Sequence, residues 1–118
     1  MTHRMQLMPS PFRMIKNGEK TIELRLYDEK RRAIRVGDRI VFTDTGRGET
    51  LTVKVSGLFV FDSFDTLYQK LPLTACGYTE DELETASPRD MDAYYSEVQQ
   101  RQYGVLGIEI ALTDEEGL

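Results

Sequence analysis

Residues 104–112 read Gly-Val-Leu-Gly-Ile-Glu-Ile-Ala-Leu, a stretch in which Glu109 is the only charge. A strand that carries apolar side chains on both faces must be covered on both faces. The run therefore predicts a central strand inside a sheet with packing on either side of it. The rest of the chain has to supply the neighbouring strands and that cover. With 118 residues, 40% of them hydrophobic and 30% charged, it has enough apolar material for one core and not for a second catalytic domain.

The flanking strands show the two-residue period of a half-buried sheet. Over residues 20–26, Ile22, Leu24 and Leu26 fall on one face, and Thr21, Glu23 and Arg25 on the other. Leu51, Val53 and Val55 alternate with Thr52, Lys54 and Ser56, and residues 58–61 extend that strand past a bulge at Gly57. Residues 4–7 and 39–43 read as further strands, the latter fed by a tight turn at Val36-Gly37-Asp38. Thr45-Gly46-Arg47-Gly48 predicts a hairpin between 39–43 and the strand that follows.

Helices are marked by their caps. Ser10-Pro11 opens one that carries Phe12 and Ile15 inward and ends at Gly18. Asp62 or Ser63 caps a second running to about Leu71. Thr79 and Glu82 form a capping box for a brief third, and Ser87-Pro88 starts a fourth with Met91, Tyr94, Tyr95 and Val98 as its core stripe. Residues 28–35 read as a charged connection. The count is five or six short strands and three or four short helices without regular βαβ alternation, an α+β architecture of small mixed-barrel type. Residues 1–112 form one domain, and 113–118 an acidic, frayed tail.

Several function classes are disfavoured. One cysteine, Cys76, gives no internal disulfide and suits a reducing cytoplasm, and one histidine, His3, leaves no ordinary Ser-His or Cys-His triad. No apolar stretch near either end approaches the roughly 18 residues of a membrane span, so no membrane association is expected. Gly46-Arg47-Gly48 lacks the Lys-Ser or Lys-Thr of a phosphate loop. The acidic residues Glu80, Asp81, Glu82 and Glu84 lack the layout of a calcium loop and read as a solvated helix start, so neither a metal nor a cofactor is called for. Cys76 reads as a plain packed thiol, and the sequence identifies no protein partner.

Charge is divided unevenly. Residues 1–39 hold ten Lys and Arg against five Asp and Glu, and the remainder five against fifteen, within an overall charge of −5. A basic first third can hold an anionic ligand locally, while the overall sign favours a small ligand over a long RNA. At the centre of that third lies Gly18-Glu19-Lys20-Thr21-Ile22-Glu23-Leu24-Arg25, a helix-ending glycine followed at once by a strand with alternating charges.

The spacing Gly-x-Lys-x-x-Glu-x-Arg resembles the signature of ASCH domains, and Gly18, Lys20, Glu23 and Arg25 match it at every specified position. The Val36-Gly37-Asp38 turn and the closing Tyr103-Gly104-Val105-Leu106-Gly107-Ile108 strand extend the likeness over most of the chain. The resemblance implies a PUA-like barrel with a helix beside a cleft that takes RNA, a nucleotide or a modified nucleoside. Lys20 and Glu23 are then the candidate catalytic pair, with Glu23 also placed to accept from a base amine. Thr21 and Arg25, with Arg13 and Lys16 from the helix, are the candidate ligand-binding residues. An ideal strand puts Lys20 on the face opposite Glu23, so their convergence requires a twist at the Gly18 corner. Some small ASCH proteins look like amidohydrolases that remove the acetyl group from N4-acetylcytidine with a Lys, a Thr and a Glu. Their Lys falls on Lys20, their Thr on Glu23, and their Glu near Ala75 or Cys76. The alternative to a binding module is thus a small hydrolase acting on a modified nucleoside or on RNA. A third reading is a protein-interaction adaptor that uses the acidic helices.

Overall fold

The computed structural model describes residues 1–113. Five strands, β1 (Thr2–Leu7), β2 (Ile22–Leu26), β3 (Arg39–Asp44), β4 (Thr50–Phe61) and β5 (Val105–Leu112), form one sheet in the order β1-β3-β4-β5-β2. β1 runs parallel to β3 and the other pairs are antiparallel. The sheet curls into a half-barrel, the PUA-like architecture expected, with β1 and β2 as the strands on either side of its open seam. β5 is flanked by β4 and β2, and its Val105, Leu106 and Ile108 are inaccessible to solvent. The continuous apolar run is the central strand it predicts. The β3–β4 hairpin forms, and the β4–β5 register slips between Val55 and Gly57, where a bulge was expected.

Among the described residues, four α-helices, within the number expected, and two 3₁₀ segments connect the strands. α1 (Pro9–Lys16) starts two residues before the predicted Ser10-Pro11 cap. Pro9 takes the first helical turn, and Met8 occupies the cap without a side-chain bond. Pro11 then costs little, because the first N–H groups of a helix have no internal partner. α2 (Glu29–Arg32) lies within the stretch read as a connection, where the Asp28 side chain accepts from the Arg31 N–H at 3.1 Å. α3 (Phe64–Lys70) is capped by Ser63.

The predicted fourth helix is two pieces, a 3₁₀ segment (Pro88–Ala93) and α4 (Glu97–Tyr103). Ser96 and Gln99 make a reciprocal capping box of their own, which restarts the helix and breaks the phase of the stripe. Met91 is buried as predicted, but Tyr94 and Val98 are 65% and 63% exposed. The other 3₁₀ segment (Glu80–Glu82) carries the expected Thr79–Glu82 box.

Two buried clusters follow. One fills the barrel with Phe12 and Ile15 of α1 packed on Ile40, Phe42, Val53, Val55, Leu106 and Ile108. The other joins Ile22, Leu24 and Leu26 to Phe64, Leu67, Cys76 and Met91 outside the sheet. β2 is therefore covered on both faces, not half-buried. Glu23 stands opposite Ile108 and Arg25 opposite Leu106, so the charged face of β2 points the same way as the barrel core. No described helix is long and apolar enough to cross a membrane. The predicted tail lies outside the described residues apart from Thr113.

Candidate functional site

The open seam of the half-barrel is where the charged residues meet. Asn17 caps α1, and Gly18 at φ +81° turns the chain so that the Glu19 and Lys20 N–H groups both donate to the Met14 carbonyl, at 2.8 and 3.1 Å. β2 begins only at Ile22. Lys20 therefore lies before the pleat that would have sent it to the opposite face. The Thr21 and Ile22 N–H groups both donate to the Ala75 carbonyl, which pins the Ala75-Cys76-Gly77 loop beside the corner. Gly77, at φ +111°, leaves room for the Lys20 stem: a Cβ there would stand 3.2 Å from Lys20 Cδ.

Lys20 Nζ lies 2.8 Å from Glu23 Oε1, and Arg25 Nε donates to Glu23 Oε2 at 2.7 Å. Side-chain exposure is 11% for Lys20, 6% for Glu23 and 12% for Arg25. Burial works against the Glu23 carboxylate, but the two cations and the hydrogen bonds they donate outweigh it and hold the group below the usual carboxylate range. Arg25 Nη2 also donates to the Gln6 carbonyl at 2.8 Å. Arg25 thereby ties β2 to β1, the strands on the two sides of the open seam, so the residue that orients the site also helps close the barrel.

The three side chains line a cavity of about 440 Å³, within the range of small-molecule sites. α1 forms one wall through Ser10, Pro11 and Met14. Further lining comes from segments given no site role in the sequence: Tyr68 of α3, Cys76 and Tyr78 of the following loop, Glu82, Asp90, and Tyr94 and Tyr95. Tyr68 Oη and Tyr78 Oη are 2.7 Å apart, and Tyr78 donates to Asp90 Oδ2 at 2.7 Å. Burial is the main cause that raises both phenols above their ordinary range. Burial likewise pushes the Cys76 thiol up to about 11, with Lys20 pulling weakly the other way. Two cations thus face three carboxylates around the cavity, a balance that suits a neutral or weakly charged ligand better than a polyphosphate.

Not every candidate residue reaches this space. Thr21 is exposed and outside the cavity. Arg13 points to solvent on the outer side of α1, and Lys16 pairs with Glu49 of β4's approach, so neither lines the cleft. The predicted core residue Tyr94 is at the cavity surface, and Cys76, packed as expected, is also part of the lining. The one pointer in the sequence to this further lining is the position of the ASCH glutamate near Ala75 and Cys76. Nothing in the spacing links Tyr68, Tyr78 and Asp90. Among the described residues, no cluster of His, Cys, Asp and Glu could hold a metal ion.

Residues 5–114 match the family model of the ASCH domain. The crystal structure of hypothetical protein PH0355 is similar at 36% identity and a TM-score of 0.79, covering 96% of this chain and 100% of that one. The solution structure of protein PF0455 from Pyrococcus furiosus is similar at 34% identity and a TM-score of 0.71, covering 97% and 99%. The crystal structure of ASCH from Zymomonas mobilis shares the fold at 16% identity and a TM-score of 0.62, covering 93% and 66%. None of the curated proteins matches.

Proposed function

Because the chain belongs to the ASCH domain family, we propose that it binds RNA or a nucleotide, taking one unpaired nucleoside unit into the cleft around Lys20, Glu23 and Arg25. The observation that carries this reading is the charged trio in a cavity also lined by tyrosines. Aromatic faces stack on bases, and after their bond to Glu23 the Lys20 ammonium and the Arg25 guanidinium keep further N–H donors for base or ribose oxygens. The acidic residues of the cavity and the net charge of −5 weigh against a long strand, so a short ligand binds relatively better. With its one thiol buried and reduced, the protein is proposed to act in the cytoplasm.

Calorimetric titration tests the reading with nucleosides, nucleoside monophosphates and an RNA of about 20 nucleotides, each at several salt concentrations. Nucleoside affinity is expected to be nearly independent of salt and to fall at least about tenfold in Lys20→Met. RNA binding is expected to be weak and to fall steeply as salt rises. Nucleoside binding that survives Lys20→Met unchanged, or none at millimolar concentration, rejects the cleft.

A second reading, hydrolysis of a modified nucleoside such as N4-acetylcytidine or of RNA, is supported by one feature, the 2.8 Å Lys20–Glu23 contact in a sheltered place. It has less behind it, because Thr21 lies outside the cavity and the Cys76 thiol is held protonated. Release of cytidine from N4-acetylcytidine, lost in Lys20→Met, would move it ahead of simple binding.

A further inference from the structure

Each oxygen of Glu23 already accepts from a cation, and the same cavity holds a second candidate acceptor for a base amine. There the hydrogen-bond chain Tyr68–Tyr78–Asp90 has a direction. Asp90 ends it: its Oδ2 accepts both the Ser87 N–H at 3.1 Å and the Tyr78 hydroxyl at 2.7 Å. The one proton of Tyr78 is therefore used on Asp90. Its oxygen can then only accept from Tyr68, which lies 2.7 Å away and uses its own proton in turn. What remains at the head of the chain is the Tyr68 oxygen with a free lone pair and no proton to offer.

The ring carrying that oxygen is held edge-on between Phe64 and Tyr78. Burial keeps both phenols protonated at neutral pH, so the direction does not reverse there. Tyr68 and the Lys20–Glu23–Arg25 trio line the same cavity. Lys20 and Arg25 present donors, and Tyr68 an obligate acceptor.

We propose that Tyr68 is a specificity-determining residue that accepts a hydrogen bond from an N–H of the ligand, so the cleft selects bases bearing an exocyclic amine over bases that lack one. This rests on the nucleoside-binding reading above and adds to it which bases are taken. Tyr78 and Asp90 are positioning residues, since they act only by fixing the direction of the Tyr68 proton.

Two matched pairs of ligands test this by calorimetry: cytidine against pyrimidin-2-one ribonucleoside, and adenosine against purine ribonucleoside. Within each pair only the amine differs. The wild-type protein is expected to prefer at least one amino nucleoside over its partner by about fivefold, the size of one net hydrogen bond. Tyr68→Phe is expected to bring that ratio close to one. Tyr78→Phe provides an independent readout that loss of packing would not imitate. It releases the Tyr68 proton, which becomes a donor toward the cavity, so uridine gains on cytidine through its O4 acceptor. Equal binding within both pairs by the wild type overturns the inference and leaves the nucleoside reading standing. An amine preference undiminished in Tyr68→Phe, or a cytidine-to-uridine ratio unmoved in Tyr78→Phe, does the same. No binding of any of the four nucleosides overturns both.

Discussion

Replacing Glu23 by Gln removes one charge and almost no volume, and it isolates what the buried trio contributes. In the wild type each Glu23 oxygen accepts from a cation, Lys20 at 2.8 Å and Arg25 at 2.7 Å, and all three side chains are nearly shut off from water. A glutamine keeps one acceptor and turns its NH2 toward the other cation, so an Arg or a Lys is left desolvated without a countercharge. Breaking a buried pair from one side costs about 3–5 kcal/mol. For a chain of this length, an unfolding entropy of roughly 2 cal/mol/K per residue converts that to a Tm drop of about 12–20 °C. Thermal denaturation at neutral pH, followed by circular dichroism, measures it. The double variant Lys20→Met, Glu23→Gln is expected to recover part of the loss, because the methionine keeps the stem against Gly77 and removes one stranded charge. A Glu23→Gln protein melting within about 3 °C of wild type would refute the reasoning, as would a double variant less stable than the single one.

Three further outcomes follow from the same structure. Asp38 accepts from His3 at 2.8 Å and from the Arg35 N–H at 3.0 Å, which lowers its carboxyl from 3.8 to about 2, and Glu23 is lowered as well. Both groups bind protons more readily when unfolded. Their stabilisation is intact above the unfolded values and drains as pH falls, for Asp38 between 3.8 and about 2, so urea midpoints should drop across that window and less so in Asp38→Asn. Cys76, with its thiol pushed from 9.0 to about 11, should react slowly with iodoacetamide in the native protein and quickly in denaturant. Because the unfolded thiol ionises first, stability should also fall as pH rises between those values, and less steeply in Cys76→Ala, where only the raised phenols still contribute. Gly77→Ala puts a side chain at φ +111° and its Cβ against the Lys20 stem, so denaturant unfolding should show a loss of more than about 1 kcal/mol, and nucleoside affinity should fall with it.

The fold was legible wherever a local rule and the tertiary structure agree. Val105 to Ile108 could only be a covered strand, the glycines after Thr45 could only turn, and Ser63 caps the helix it was expected to cap. Where one local rule displaces another, the reading failed. Ser96 with Gln99 outcompetes the continuation of the helical stripe from Met91, which is why Tyr94 and Val98 face solvent. The four-residue α2 has no apolar face to announce it, since all of Glu29-Lys30-Arg31-Arg32 is charged and only the Asp28 cap marks its start. Alternation on β2 was read correctly as a period. The strand expected to be half-buried is covered on both faces, because the open seam gives Glu23 and Arg25 partners inside.

Distance along the chain explains why only half of the site could be read. The trio lies within six residues of a single chain segment, and its spacing alone brings it together once Gly18 turns the chain. Tyr68, Tyr78 and Asp90 are ten and twelve residues apart along the chain, and they meet because α3 and the second 3₁₀ segment pack against each other through Phe64 and Met91. No local rule encodes that meeting. The two groups of residues also differ in how far chemistry is separable from folding. Arg25 holds the seam through the Gln6 carbonyl as well as orienting Glu23, so its loss damages barrel and cleft together. Lys20 packs through its stem and Tyr68 through its ring, and both residues line the cavity. A change of ligand preference is therefore to be sought at residues 20 and 68, where a polar atom can be replaced and the packing kept. At residue 25 it cannot, because the same guanidinium serves both purposes.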